Sequence, residues 1–398
     1  MLKGSDYSSA VGSSITESRM PNMSAENSTV EPTPVPEPTP TTETKKAESK
    51  RITDDDLYRH SSQYRLWSFT KEQLESRRRA LNAKVVDKVN EKLQDIISKH
   101  NDLSQEELNA INEKAVPVTM EEELKFVNFF AKKVQSFCHS LNLPTEVCAT
   151  AISFFRRFFL VNSTMEIHPK HILLASIFLA CKSENYFIGI EAFAKKTKSQ
   201  PTTILKYEFD VLESLQFTLL NHHPYRPLHG FFLDIQYILH GKVDLNYMGQ
   251  IYTNCKRRIT ETLLTDVVYH YTPPQITLAC LLIDDEALTL KYLEVKFGSP
   301  PEEQKDSETE GLKTEETPSD TKLPSNLKLQ TLTALIRECQ AMILNVETLS
   351  KEEATKIDAK LHYCQNPMLL VDRMRRQKQQ RDSSAELTTE PDSKKLKV

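Results

Sequence analysis

The chain has 398 residues, 51 Lys+Arg against 55 Asp+Glu, a net charge of −4 and only 8 glycines. Glycine near 2% of 398 residues, against a usual usage of about 7%, leaves little room for phosphate-cradling loops, tight hairpins or a barrel. No G-x-G-x-x-G or Walker A run occurs, and the acidic balance argues against a protein that coats a nucleic-acid backbone, so no direct nucleic-acid contact is expected.

Residues 1–50 are rich in Ser, Thr, Glu and Pro and cannot bury enough apolar surface to offset ordering entropy, which predicts a disordered tail. An N-terminal helical extension is expected over 51–118, with one helical stretch from about Thr53 to Leu93. Thr119-x-x-Glu122 is a capping-box signature. Leu124, Val127, Ala131, Val134 and Cys138 follow it at three- and four-residue steps and form one apolar stripe. Pro144 opens a second helix with Val147, Cys148, Ala151, Phe155 and Phe159 on its apolar face. Pro169 opens a third, in which His171 to Cys181 contains no acid, Lys or Arg; a helix apolar all round belongs at the centre of a bundle. Phe193 and Ala194 mark a short fourth helix, and Ile204, Val211, Leu212 and Leu215 a fifth.

The pattern then returns 104 residues later. Leu124, Val127, Ala131 and Val134 map onto Leu228, Phe231, Ile235 and Ile238, and Pro169, Ile172, Leu174 and Ala175 onto Pro273, Ile276, Leu278 and Ala279. Val147, Cys148, Ala151, Phe155 and Phe159 map likewise onto Ile251, Tyr252, Cys255, Ile259 and Leu263, and three helices in register predict two copies of one helical bundle, over 119–220 and 221–350. The second copy carries a polar, acidic insertion at about 299–325, predicted to be disordered. A C-terminal helix over 351–381 and a polar tail over 382–398 complete the chain.

The seven cysteines show no C-x-x-C spacing and read as reduced, packed thiols. The first fifty residues lack a signal-peptide core, no segment reaches 18 uninterrupted apolar residues, and no membrane contact is expected. His222, His223 and His229 lie close in sequence but lack the spacing of a metal site, and no nucleophile–base arrangement appears, so neither metal, cofactor nor catalytic residue is expected. Two charges break the apolar rule. Glu208 sits four residues from both Ile204 and Leu212, on the packed stripe of its helix, and Lys182 ends the all-apolar central helix. A buried, unpaired ion is expensive. The two either satisfy each other inside the bundle or surface together and face a partner.

The run Phe178-Leu-Ala-Cys-Lys-Ser-Glu-Asn185 resembles the third helix of a cyclin box, and Tyr207-Glu-Phe-Asp-Val-Leu-Glu-Ser-Leu-Gln-Phe217 resembles the fifth. Two helical repeats carrying that motif in the first is the cyclin layout. "SSQYRLWSFTKEQL" from Ser61, "FRRFFLVNSTMEIHP" from Phe155, "NHHPYRPLHGF" from Asn221 and "LLTDVVYHYTPPQI" from Leu263 are similar to the cyclin H group, and most similar to its fungal members. The resemblance covers about 51–377. It implies an all-α protein: two tandem cyclin-box five-helix bundles with flanking N- and C-terminal helices.

The resemblance also implies a non-catalytic regulator that binds and activates a cyclin-dependent kinase of the CDK-activating type, with a RING-finger assembly subunit as third partner. It places the complex in TFIIH, in the nucleus, in support of RNA polymerase II repeat phosphorylation. Lys182 and Glu208 then become the pair that grips the kinase, with Leu212 and Phe217 as neighbouring interface positions. Tyr64 and Trp67, the only tryptophan, are candidate partner contacts, although Trp67 can equally staple its helix onto the first bundle. Thr33, Thr39, Ser299 and Thr317 precede prolines and are phosphorylation candidates. Arg373, Arg375, Arg376 and Lys378, with Lys394, Lys395 and Lys397, form two basic clusters that suit nuclear import or a solvated helix end. Cyclins of C, K or T type are the nearest alternatives. A double-cyclin-box DNA-binding factor like TFIIB would need a zinc ribbon, for which no C-x-x-C exists.

Overall fold

The computed structural model describes residues 54–99, 103–298, 325–345 and 349–388, and every regular element among them is helical. Thr33, Thr39, Ser299 and Thr317, the first fifty residues and the insertion as far as residue 324 lie outside the described residues.

The extension comprises α1 (Asp54–His60), α2 (Ser62–Trp67), α3 (Lys71–Lys99) and α4 (Gln105–Lys114). The single helix expected over Thr53–Leu93 is therefore broken twice. Ser61 caps α2 by accepting from the Tyr64 amide, and the Phe69 amide leaves the helix to donate to the Tyr269 carbonyl at 2.8 Å. Thr70 and Gln73 then cap α3 reciprocally. Leu74, Val85, Val89 and Leu93 form the stripe that α3 buries.

The first box contains α5 (Met120–Ser140), α6 (Thr145–Phe158), α7 (Pro169–Ser183), α8 (Ile190–Thr197) and α9 (Pro201–Ser214). Thr119 and Glu122 make the expected capping box. Helix α7 packs against α5, α6 and α9 and buries Ile172, Leu173, Ala175, Ile177, Phe178 and Leu179 on every side. Full burial of each large apolar side chain contributes about 1.5–3 kcal/mol, which is why the charge-free stretch sits at the centre. The second box contains α10 (Tyr225–Ile238), α11 (Leu245–Thr262), a short α12 (Val267–His270), α13 (Pro273–Asp284), α14 (Glu286–Phe297) and α15 (Ser325–Leu344). Helix α13 repeats the role of α7: proline at its first position, apolar all round, and contacts to α10, α11, α14 and α15.

The C-terminal helix is two helices, α16 (Lys351–Gln365) and α17 (Met368–Thr388), divided at Asn366–Pro367, and the second runs past residue 382 into the expected tail. They pack on the extension and the first box. Lys360 pairs with Glu122, His168 with Asp358, and Arg375 with Glu107, each at 2.6–2.7 Å. Arg375, read in sequence as part of a basic cluster, thus docks α17 on α4 and holds the Glu107 carboxyl down to about 2.

One carboxylate joins the three parts of the molecule. Asp266, at the start of α12, accepts two bonds from Arg78 of α3 at 2.6 and 2.7 Å and one from Arg156 of α6 at 2.6 Å. Arg156 is 3% exposed and also donates to Asn128 and to the Leu264 carbonyl.

Candidate functional site

Lys182 lies in the last turn of α7, where the helix dipole favours a cation, and Glu208 in the middle of α9. Lys182 Nζ is 2.6 Å from Glu208 Oε1 and 4.5 Å from the centroid of the Phe178 ring. The lysine side chain is 53% exposed and the glutamate 16%. Both alternatives left open by the sequence are thus partly realised: the ions pair with each other, and they do so at the surface. Glu208 Oε2 accepts nothing from the described residues, and the ammonium has donors to spare. The pair is neutralised but not sealed.

Apolar side chains are exposed on the helix of Glu208 and on the segments that follow α7 and α9. Phe187, after α7, is 90% exposed; Leu205 and Phe209 of α9 and Leu220 beyond it are also exposed. Leu212 is half-buried against the core. Phe217 is 62% exposed and lies edge-on to Phe209, with centroids 6.4 Å apart. The backbone that presents it is unusual: Gln216 and Phe217 both have left-handed conformations, φ 52° and 57°. Each costs a non-glycine residue roughly 1–2 kcal/mol. The turn is held by bonds from the Gln216 amide to Glu213 and the Phe217 amide to Leu212. Strain of this kind persists where the surroundings impose it, often at ligand clamps.

The extension continues the same surface. Ser183 bonds the Leu219 carbonyl, tying the end of α7 to the segment after α9. Gln63 of α2 pairs through its amide with the backbone of His222, and Tyr58 lies edge-on to both His222 and Tyr64. Tyr64 and Leu57 stand exposed at this edge. Trp67 does not. It is 2% exposed, donates to Thr218 Oγ1 at 3.1 Å and lies 5.2 Å from the Arg157 guanidinium carbon. Its ring is the internal staple, because burial closes it off from any partner; the partner-facing expectation passes to Tyr64.

The three histidines go to separate neighbours. His223 Nε2 meets Thr150 Oγ1 at 2.7 Å, and Thr150 donates to Glu184 at 2.6 Å. The hydroxyl has one proton, so His223 is the Nε2–H donor. The ring lies deep although the residue keeps some surface, and burial, with Arg157 nearby, pushes its pKa down to about 3. His222 packs on Tyr58, and His229 on Tyr252. Among the described residues no cluster of metal-ligating side chains occurs.

Sequence reasoning missed Phe187 and Phe209, whose signal was only that they lie off the apolar stripe. It also missed the Arg78–Asp266–Arg156 junction, announced only by two arginines within an apolar run.

Comparison with known proteins assigns the two boxes to a family. Residues 99–220 match the family described as "Cyclin, N-terminal domain", and residues 223–344 that described as "Cyclin C-terminal domain". Cyclin CCL1 of Saccharomyces cerevisiae is 53% identical over 362 residues, covering 84% of this chain and 88% of its own. A cryo-EM structure of the yeast TFIIK complex of Kin28, Ccl1 and Tfb3 contains a chain 53% identical, matched over 72% of this chain and all of its own with a TM-score of 0.54. A chain in the CAK complex from Chaetomium thermophilum is 26% identical, over 87% of this chain and all of its own, with a TM-score of 0.64. With two boxes in tandem, both matched along their length, and a relative at this identity spanned almost end to end, the chain belongs to the cyclin family.

Proposed function

We propose that this chain is the cyclin H-type regulatory subunit of a CDK-activating kinase. It binds a cyclin-dependent kinase through the surface around Lys182 and Glu208 and does no bond-breaking itself. The observation that carries this reading is a paired but solvent-reaching Lys182–Glu208 set, with Phe209 exposed on the helix of Glu208 and Phe187 and Phe217 exposed in the segments after α7 and α9. A protein kinase is active when its strand lysine pairs with a glutamate on helix C. A cyclin seated on the outer side of that helix holds it inward and shifts the population toward the active geometry. Lys182 is suited to cap backbone carbonyls of the kinase, and Glu208 to accept hydrogen bonds; the aromatic rim excludes water and strengthens both. Leu212 and Tyr64 extend the contact, while Trp67 and Gln63 position Tyr64. The three-subunit TFIIK complex of the yeast relative, Kin28 with Ccl1 and Tfb3, supports a third partner beside the kinase, which we read as a RING-finger assembly subunit. Assembly into TFIIH, nuclear localisation and phosphorylation of RNA polymerase II repeats follow from the same reading.

The test is co-expression with the kinase, followed by pull-down and kinase assay of wild type, Lys182→Ala/Glu208→Ala and Phe209→Ala/Phe217→Ala. Truncating two interface aromatics at about 2 kcal/mol each weakens binding by at least a hundredfold. The double variant removes both charges and leaves no unpaired ion behind, so its melting temperature stays near wild type. Full retention of the kinase by both variants, or melting of the bundle, refutes the assignment.

A further inference from the structure

Arg157 of α6 carries a buried charge that no acid among the described residues balances. It is 4% exposed, and its Nη1 has no hydrogen-bond partner there. Its neighbours are the Trp67 ring and the phenols of Tyr269 and Tyr58. Burial pushes the Tyr58 phenol up, so it supplies no negative charge at neutral pH. Arg156, the preceding residue, offers no relief. Its partner Asp266 is already shared with Arg78, and its own Nε is buried without a partner among the described residues. Burial lowers the Arg157 guanidinium to about 10, which still leaves it charged at pH 7. A buried ion without a counter-charge is expensive, and proteins normally pair it.

The two arginines line one small cavity, where α2 and α6 meet the second box. Its lining contains no Asp or Glu. Gln63 and Asn221 do line it, and each side-chain amide spends one N–H, on the His222 and Leu219 carbonyls, and keeps one to spare. Helices α10 and α13 begin at this cavity, with Pro224 and Pro273 in its wall, so the positive ends of two helix dipoles add to the field. Burial, with the charges of Arg157 and Arg226, holds His222 and His223 below the usual histidine range, so the charge of the lining resides in the arginines. Asn221 and His222 are half-buried and give an ion its way in from solvent. Size selects the occupant. The cavity has room for about 30 Å³. One water needs about 10–15 Å³, so there is space for two waters or one atomic anion, and none for a phosphate or a nucleotide. Water would satisfy the donors but leave the charge unbalanced.

We propose that this cavity binds a single chloride ion, held by Arg157 together with Arg156, Gln63 and Asn221. The ion is the counter-charge that fastens α2 of the extension and α6 of the first box to the second box.

The test is urea unfolding of the full chain, followed by circular dichroism, with sodium chloride exchanged for sodium gluconate at a constant ionic strength of about 0.15 M. Gluconate is too large for the cavity. A ligand that binds only the folded state multiplies the folding constant by one plus the ratio of its concentration to Kd, so each tenfold rise in chloride above Kd raises that constant about tenfold. Wild type is expected to gain at least about threefold between gluconate and full chloride. Arg157→Met abolishes the gain, whereas Arg257→Met, on an exposed arginine of α11, retains it. Bromide takes the place of chloride, so crystals grown in sodium bromide are expected to show its anomalous signal beside Arg157. A wild-type folding constant that does not respond to chloride overturns the proposal. So does an equal response in Arg157→Met, which assigns the effect to the general surface, or a bromide crystal with no signal in the cavity, which assigns the cavity to water. If Arg157→Met does not fold, the bromide position decides alone.

Discussion

Replacing Asp266 by Asn isolates the most consequential contact in the molecule. Asn keeps the shape but removes the charge between two guanidiniums. Arg78 and Arg156 side chains are 14% and 3% exposed, and both aim at this carboxylate at 2.6–2.7 Å. Removing one partner of a buried ion pair costs about 3–5 kcal/mol, because the remaining charge stays buried and uncompensated. That is a large fraction of a total stability of about 5–15 kcal/mol. With a urea dependence of about 3 kcal/mol per molar, the unfolding midpoint falls by about 1–1.7 M. The assay is urea unfolding of the full chain followed by circular dichroism. Glu286→Gln serves as control, since its pair with Arg337 is about half exposed at both ends and its loss moves the midpoint far less. The pH dependence carries a second signature. Burial pushes the Asp266 carboxyl up, but the bonds from Arg78 and the charge of Arg156 outweigh it and hold it below the usual range. A depressed carboxyl contributes stability above its unfolded value, near pH 4, and loses it as pH falls through the folded value. Wild type shows that loss below about pH 4, and Asp266→Asn lacks it. A midpoint shift under about 0.3 M would refute the reasoning, showing that solvent rather than Asp266 balances the arginines.

Two other perturbations have defined outcomes. Lys198 ends α8 in a left-handed conformation, φ 52° and ψ 42°, with the Ser199 amide reaching back to Ala194, so Lys198→Gly relieves strain and stabilises by about 0.5–1 kcal/mol, read as a melting temperature about 2 °C higher. His223 carries a pKa of about 3, so its ring shows no titration between pH 5 and 8 by NMR; because the unfolded ring takes up a proton near pH 6.5, its contribution to stability is lost as pH falls from about 6.5 toward 3.

The helical class and the repeat were legible because both rest on local periodicity. Pro169 and Pro273 announce the same helix start 104 residues apart, and the charge-free stretch after each one demands a central position. Lys182 and Glu208 were legible for the opposite reason: they interrupt that periodicity. What local pattern does not contain is a long-range choice. Residues 61–70 contain no Pro or Gly to announce a break, and the chain leaves the helix where the Phe69 amide finds Tyr269 two hundred residues away. Trp67 could face in or out until Thr218 and Arg157 decide it. Scarce glycine has a structural echo that composition did not reveal: left-handed turn positions fall to Asn142, Asn185, Lys198, Gln216 and Phe217.

The shared carboxylate also constrains how the protein is made. Arg78 and Arg156 leave the ribosome well before the residue that neutralises them. At about 5–20 residues per second, the 110 positions between Arg156 and Asp266 take roughly 5–20 s to synthesise. During that interval the first bundle can collapse but cannot bury its arginines without cost. A chain truncated before Asp266 is therefore expected to keep Arg78 and Arg156 in water, and to close that face only when the second bundle supplies the carboxylate.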